Sequence, residues 1–238
     1  GEPNPIRLLN PIASPLSVMR STLLGGLLAN VRYNAARKLT RIRVFELGRV
    51  FQRDGGVADG PLEVAGVRQP LRIAAAAFGP ALEEQWGCPP RRVDLFDLKS
   101  DLEALAAPRA LRFEADAHPA FHPARSARVL LANREIGWIG ELHPQWLQKY
   151  DIAQGLVCFE VDVAALLESP LPQPSVPSRF PPVTRDIALL VNADITVQAL
   201  LDAIAGETPA IVQEVRLFDL YQGSNLPAGK KSLAFRVV

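Results

Sequence analysis

Histidine, cysteine and methionine are nearly missing from this chain, with three, two and one copies in 238 residues. Two distant cysteines, Cys88 and Cys158, fit neither a disulfide scaffold nor a cysteine-rich zinc cluster, and reduced structural thiols are the expectation. No uninterrupted apolar run reaches the roughly 18–20 residues that cross a bilayer. The opening Gly1-Glu2-Pro3-Asn4-Pro5 lacks the charged and apolar parts of a signal peptide. The expected setting is cytoplasmic, without membrane contact. Net charge is also scarce: 26 basic against 25 acidic residues leave +1, which removes bulk attraction to polyanions as a general binding principle. One stretch is uneven, since Arg20, Arg32, Arg37, Lys38, Arg41, Arg43, Arg49 and Arg53 enclose only Glu46. It reads either as a solvated surface or as a contact for RNA phosphates or an acidic partner.

What the chain does have is a 48% hydrophobic content, enough for one large or two smaller cores. Proline marks the division. Pro170, Pro172, Pro174, Pro177, Pro181 and Pro182 hold the chain extended and cannot donate backbone hydrogen bonds, which predicts a domain over 1–168, a linker over 169–182 and a second domain over 183–238. In the first, Ser21 or Thr22 is placed to cap a helix with Leu23, Leu24, Leu27, Leu28, Val31 and Ala35 at helical spacing. Ile42 to Arg53 and Leu71 to Phe78 read as strands, and Asp97 to Ala107 as a helix burying Leu98, Leu102 and Leu105. Ser126 to Leu142 reads as a hairpin turning at Ala132-Asn133-Arg134, and Leu156 to Val163 as a last strand before a short helix. This order predicts an α+β domain.

The second domain predicts β-α-β-β: a strand over Asp186 to Val191, a helix capped by Thr196 that buries Val197, Leu200, Leu201 and Ile204, then two strands. A split-βαβ unit needs one more helix and strand, so a truncated module with an exposed edge, part of a longer protein, is expected. Strict alternation along the two final strands puts Phe218, Leu220, Leu233, Phe235 and Val237 under the helix and Asp219, Tyr221, Ser232, Ala234 and Arg236 on the opposite face. If Asp219 lies opposite Ser232, that face suits one flipped-out base: Tyr221 to stack, Asp219 to accept from a guanine edge, Ser232 to donate or accept. Lys230 and Lys231 are candidates to steer phosphates, and Arg185 to reach the same region. The bland alternatives are a turn-opening Tyr221 and Asp219, lysines kept for solubility, and an ion pair from Arg185 to Asp186 or Asp219.

His118, His122 and His143, with Asp116 and Glu141, make metal-assisted hydrolysis the competing chemistry. Each histidine precedes a proline, which keeps His118 and His122 from lying one helical turn apart. Loop-anchoring hydrogen bonds are their expected role.

Three ordered segments carry a family resemblance: Arg179-Phe180-Pro181-Pro182-Val183-Thr184-Arg185-Asp186-Ile187-Ala188, Phe218-Asp219-Leu220-Tyr221-Gln222-Gly223, and Gly229-Lys230-Lys231-Ser232-Leu233-Ala234-Phe235-Arg236. They resemble the ferredoxin-fold anticodon-binding domain at the carboxy-terminal end of the bacterial phenylalanyl-tRNA synthetase beta subunit. The first domain is similar to that family's noncatalytic class II synthetase-like core through Pro15 to Leu24, Phe45 to Phe51, His122 to Ala127 and Ile139 to Pro144. The resemblance implies an antiparallel-sheet core followed by a truncated ferredoxin-like domain. It also implies a catalytic alpha subunit as partner in an alpha2-beta2 heterotetramer, and phenylalanine tRNA, read at a first-anticodon guanine. ATP and magnesium are implied for the complete enzyme and no cofactor for this stretch; editing domains would lie upstream. Gln52 stands where catalytic relatives place an arginine on the ATP α-phosphate, and a neutral amide cannot replace a guanidinium there. Arg53, one residue on, is expected to point away. An autonomous RNA-binding module is the alternative.

Overall fold

The computed structural model describes residues 4–168, 179–207 and 211–238, and the chain divides into two compact units, residues 1–170 and 171–238. Most of the proline-rich linker, residues 169–178, lies outside the described residues.

Unit 1 is a six-stranded antiparallel sheet in the order β1 (Ile42–Arg49), β4 (Leu71–Phe78), β8 (Leu156–Asp162), β7 (Arg134–Leu142), β6 (Phe121–Leu131), β5 (Leu111–Ala115). Alternation along β8 sends Leu156 and Cys158 to one face and Val157, Phe159 and Val161 to the other, all buried, as a sheet covered on both sides requires. Helix α1 (Leu24–Ala35) covers the first face with Leu24, Leu27, Leu28 and Val31. Ala74 and Ala76 of β4, at most 1% exposed, leave room for it. Helix α2 (Leu95–Ala106) covers the second with Leu98, Leu102 and Ala106, each large side chain contributing about 1.5–3 kcal/mol of burial.

The cap of α2 follows from its first residues. Asp94 and Asp97 form a reciprocal capping box, and Arg91 grips Asp97 through two hydrogen bonds of 2.7 and 2.6 Å. That hydrogen bonding holds the Asp97 carboxyl below its ordinary range.

The hairpin turns where the sequence places it, with Ala132 and Asn133 at positive φ, the signature of a two-residue hairpin loop. At Gly137 in β7, φ is +155° and an added Cβ would fall 2.1 Å from the Glu160 carbonyl oxygen. Only glycine lets β7 approach β8 there.

Several expectations are corrected. The strand from Ile42 breaks after Arg49, because the Val50 and Phe51 amides bond to Pro70 and Arg20 carbonyls instead of a neighbouring strand. Gln52–Arg53 (β2) then pairs with Val67–Arg68 (β3). Helix α1 starts from Leu23 without a side-chain cap. Thr22 does accept the Leu24 amide, at 3.1 Å. Leu105 is 50% exposed, as it falls beside the stripe rather than on it. Cys158 is buried, which pushes its thiol far up, but Cys88 is exposed and has no structural burial. Strand β5, the β2–β3 hairpin and helix α3 (Pro144–Lys149) were not anticipated. A short helix α4 (Val163–Leu167) follows β8 as expected.

Unit 2 contains β9 (Arg185–Asn192), α5 (Val197–Glu207), β10 (Val215–Tyr221) and β11 (Lys230–Val237). Its sheet runs β10-β11-β9, all antiparallel, with β11 central. Thr196 caps α5 through the Ala199 amide at 3.1 Å. Val197, Leu200, Leu201 and Ile204 are half-buried, and Leu233 and Phe235 beneath are 0% exposed; α5 therefore covers that face. Among the described residues no helix is long and apolar enough to cross a membrane.

Candidate nucleic-acid interface

Among the described residues of unit 2, no helix covers the other face of the sheet. Its composition is set by register: Tyr221 lies opposite Ser232, Asp219 opposite Ala234, and Arg236 opposite Asp186. Asp219, Tyr221 and Ser232 thus share the open face, with Tyr221 43% exposed and Ser232 half-buried. Asp219, expected opposite Ser232, instead lies opposite Ala234, two residues along β11. A β-bulge falls between Leu217 and Asp219, where Phe218 is the extra residue.

The bulge corrects the alternation. Leu217 pairs with buried Phe235, whereas Phe218 turns to the open side, 46% exposed, with the Arg236 guanidinium 4.9 Å from its ring centroid. Arg236 is in turn held by Asp186 through two hydrogen bonds of 2.9 Å. This pairing lowers the Asp186 carboxyl and raises the guanidinium, hydrogen bonding being the larger cause in each. Phe218, Arg236 and Asp186 therefore link side chains across all three strands. Each was in a quoted motif, but only the register shows that they meet.

Gly223 contributes by what it lacks. A Cβ there would sit 2.4 Å from the Tyr221 hydroxyl oxygen, so the glycine provides the space in which the ring rests.

The basic residues separate. Lys230 is exposed and pairs with Asn192 on the open face. Lys231, the next residue, points to the covered face, is 9% exposed, and donates from Nζ to the Ala193 carbonyl at 2.9 Å. Arg185 pairs with Val237 on the covered side and donates to the Thr184 carbonyl at 3.0 Å. Neither Lys231 nor Arg185 joins Asp219, Tyr221 and Ser232, because alternate strand residues face opposite ways.

In unit 1, a cleft of about 1110 Å³ opens on the α1 face of the sheet, and Gln52 lines it. Arg53 does not; its Nε donates to the Asn4 carbonyl at 3.2 Å. The basic stretch is largely engaged: Arg20 with Glu46, Arg43 with Asp101, Arg41 with Glu83 at 3.7 Å, and Arg37 over the Tyr33 ring.

All three histidines make the same turn. His118, His122 and His143 each accept, through Nδ1 at 3.2 Å, the amide two residues on, which is the loop-anchoring role expected of a His-Pro pair. Burial lowers the basicity of His118 against the pull of Glu160 and Glu135. Among the described residues no group of three or more His, Cys, Asp or Glu is placed to hold a metal.

Comparisons with known proteins agree with this layout. The family described as phenylalanyl tRNA synthetase beta chain CLM domain matches residues 1–163, and the ferredoxin-fold anticodon binding domain matches residues 178–238. The chain is thus part of an aminoacyl-tRNA synthetase. It belongs to the phenylalanyl-tRNA synthetase beta chain family. The phenylalanine–tRNA ligase beta subunit of Bordetella bronchiseptica is 54% identical over 99% of this chain and 31% of its own length. Those of Dechloromonas aromatica and Burkholderia lata are 51% and 52% identical over 98% and 100% of this chain. The chain spans 29–31% of the lengths of these relatives. Among solved structures, pyrrolysyl-tRNA synthetase from Desulfitobacterium hafniense aligns at a TM-score of 0.47 and 15% identity, covering 68% of this chain and 52% of the other.

Proposed function

We infer that this chain is the noncatalytic part of a phenylalanine–tRNA ligase beta subunit, supporting a catalytic alpha subunit through unit 1 and holding the anticodon region of phenylalanine tRNA on the open face of unit 2. The observation that carries this reading is the shared, uncovered face of Asp219, Tyr221 and Ser232. An exposed phenol ring stacks a splayed base, a carboxylate accepts from the Watson–Crick edge of guanine, and a hydroxyl completes the edge contacts. Lys230 adds a phosphate contact at the start of β11.

Catalysis belongs on the alpha subunit. By the family resemblance, Gln52, which lines the cleft of unit 1, takes the position of an arginine on the ATP α-phosphate in catalytic relatives, and a neutral amide does not stabilise phosphoryl charge. On this reading ATP and magnesium act in the complete enzyme, an alpha2-beta2 heterotetramer of the cytoplasm.

Binding of the chain to phenylalanine tRNA and to a transcript altered at the first anticodon base tests the reading. Stacking and edge contacts of about 1–3 kcal/mol predict a loss of roughly tenfold for the altered transcript. Equal binding to both and to unrelated structured RNAs would favour an autonomous RNA-binding module instead. A companion assay of ATP–pyrophosphate exchange by the chain alone is expected to stay at background.

A further inference from the structure

The open face of unit 2 carries more than one base can use. At the bulge two consecutive residues, Phe218 and Asp219, turn the same way, and Phe218 is 46% exposed. An aromatic ring left half-bare in a small sheet forgoes burial that would stabilise the fold. This ring is nonetheless held. The Arg236 guanidinium stands over it, 4.9 Å from its centroid, and Asp186 fixes that guanidinium through two hydrogen bonds of 2.9 Å. A bidentate pair leaves the guanidinium plane little freedom, so the ring rests against a fixed support.

Arg216 adds charge beside it. It lies opposite Arg236 in register, and directly opposed residues share a face. It is exposed, and no carboxylate among the described residues pairs with it. Two guanidiniums with the single carboxylate of Asp186 leave this end of the face positive, where like charges directly opposed cost free energy until an anion arrives. The open face thus runs from Lys230 at one end, past Tyr221 and Asp219, to Phe218 and Arg216 at the other. Tyr221 and Phe218 stand three positions apart, about 10 Å along a strand at about 3.3 Å per residue. A base lying flat on one ring does not reach the other, so each ring serves a base of its own.

We propose that the open face takes two successive anticodon bases: the guanine at Tyr221, Asp219 and Ser232, and the second anticodon base stacked on Phe218, with Arg216 on a neighbouring phosphate. Arg236 and Asp186 are positioning residues that hold the Phe218 ring. The phenylalanine codons UUU and UUC make that second base adenine. Its two-ring face offers more stacking surface than the single ring of the pyrimidine before the anticodon, and stacking needs no edge contact. The site rests on the tRNA reading of the same face.

A double-mutant cycle on the 238-residue chain tests it. The probes are labelled anticodon stem-loop RNAs carrying GAA, either intact or abasic at the first anticodon position, the second, or the position before the anticodon, with binding followed by fluorescence anisotropy. Loss of the second base is expected to weaken binding at least about fivefold, the lower end of what one stacked base contributes, and Phe218→Ala to lose the same factor on the intact loop. On the loop lacking the second base, Phe218→Ala is expected to lose nothing further; on the loop lacking the first base it keeps its full effect. Arg236→Met is expected to shrink the coupling between Phe218 and the second base, and Arg236→Lys to restore part of it, with the penalty for the missing first base unchanged. A merely structural role would lower both penalties alike. Arg216→Ala is expected to reduce the salt dependence of binding by about one counterion. Additive losses, or coupling of Phe218 to the preceding base, would overturn the two-base site, while a penalty at the first base would still uphold the tRNA reading. No penalty at any position, or no binding of the intact loop, would overturn both. Should a variant fail to fold, indifference of the unaltered chain to the second base overturns the proposal by itself.

Discussion

The six-stranded sheet of unit 1 is packed on both faces, whereas the three-stranded sheet of unit 2 is packed on one. In unit 1 the central strand β8 carries an apolar run, Leu156 to Phe159, with residues buried on both of its sides. In unit 2, β11 alternates cleanly between buried Leu233 and Phe235 and half-exposed Ser232 and Ala234. An alternating strand leaves one face outside the core, and a doubly covered one does not. The same secondary structure is therefore enclosed in one unit and open on one side in the other.

Phenylalanine substitutions probe that contrast most strongly. Phe159→Ala empties a 2%-exposed site of unit 1 and is expected to destabilise by about 3–5 kcal/mol, visible as a lowered melting temperature. Phe218→Ala, on the open face, is expected to cost only about 0.5–1 kcal/mol, the worth of an exposed cation–π contact, while weakening RNA binding. If Phe218→Ala melted unit 2 as severely, the open face would be a core and the contrast would fail.

Tyr221→Ala comes next. In the assembled enzyme it is expected to lower kcat/KM for tRNA charging by roughly 5- to 150-fold, the equivalent of about 1–3 kcal/mol of stacking, and to leave amino-acid activation unchanged. Equal losses in both steps would count against the assigned role. Gly223→Ala displaces the Tyr221 ring and should follow in direction with a smaller loss.

The adjacent lysines give a finer division. Lys231→Ala removes a charged hydrogen bond from a covered position and should lower unit 2 stability by about 1–3 kcal/mol. Lys230→Ala should leave stability unchanged and reduce the salt dependence of tRNA binding by about one counterion. The smallest effect is acid sensitivity. Asp186 has a folded pKa below its unfolded value, so its contribution is fully present above about pH 4. It fades as pH falls through the lowered folded value. Carboxyl NMR titration of Asp186 should show the depressed midpoint, and Arg236→Gln should restore it towards the ordinary range.

Much of this architecture was legible because it is written locally. The Thr196 cap, the Ala132–Asn133 turn, the His-Pro loops and the apolar stripes of α1, α2 and α5 need only a few neighbouring residues. The open-face set was legible as residue types within three motifs, yet its register was not. Nothing local announces that Phe218 is an extra residue, since an aromatic suits either face of a strand. The Glu160–Thr22 contact joins positions 138 apart, and Arg236–Asp186 joins positions 50 apart. Only the folded topology brings either pair together.

The bulge at Phe218 gives β10 a parity. Leu217 and Leu220 both turn inward although three positions separate them, while Asp219 and Tyr221 look outward. Were Phe218 retained but paired in regular register instead of bulged, the two sets would exchange, turning Asp219 and Tyr221 to the helix side and Leu220 to the open face. The bulge thus absorbs one residue of extra chain without inverting the strand beyond it, so a relative lacking that residue would keep the same side chains on the same faces.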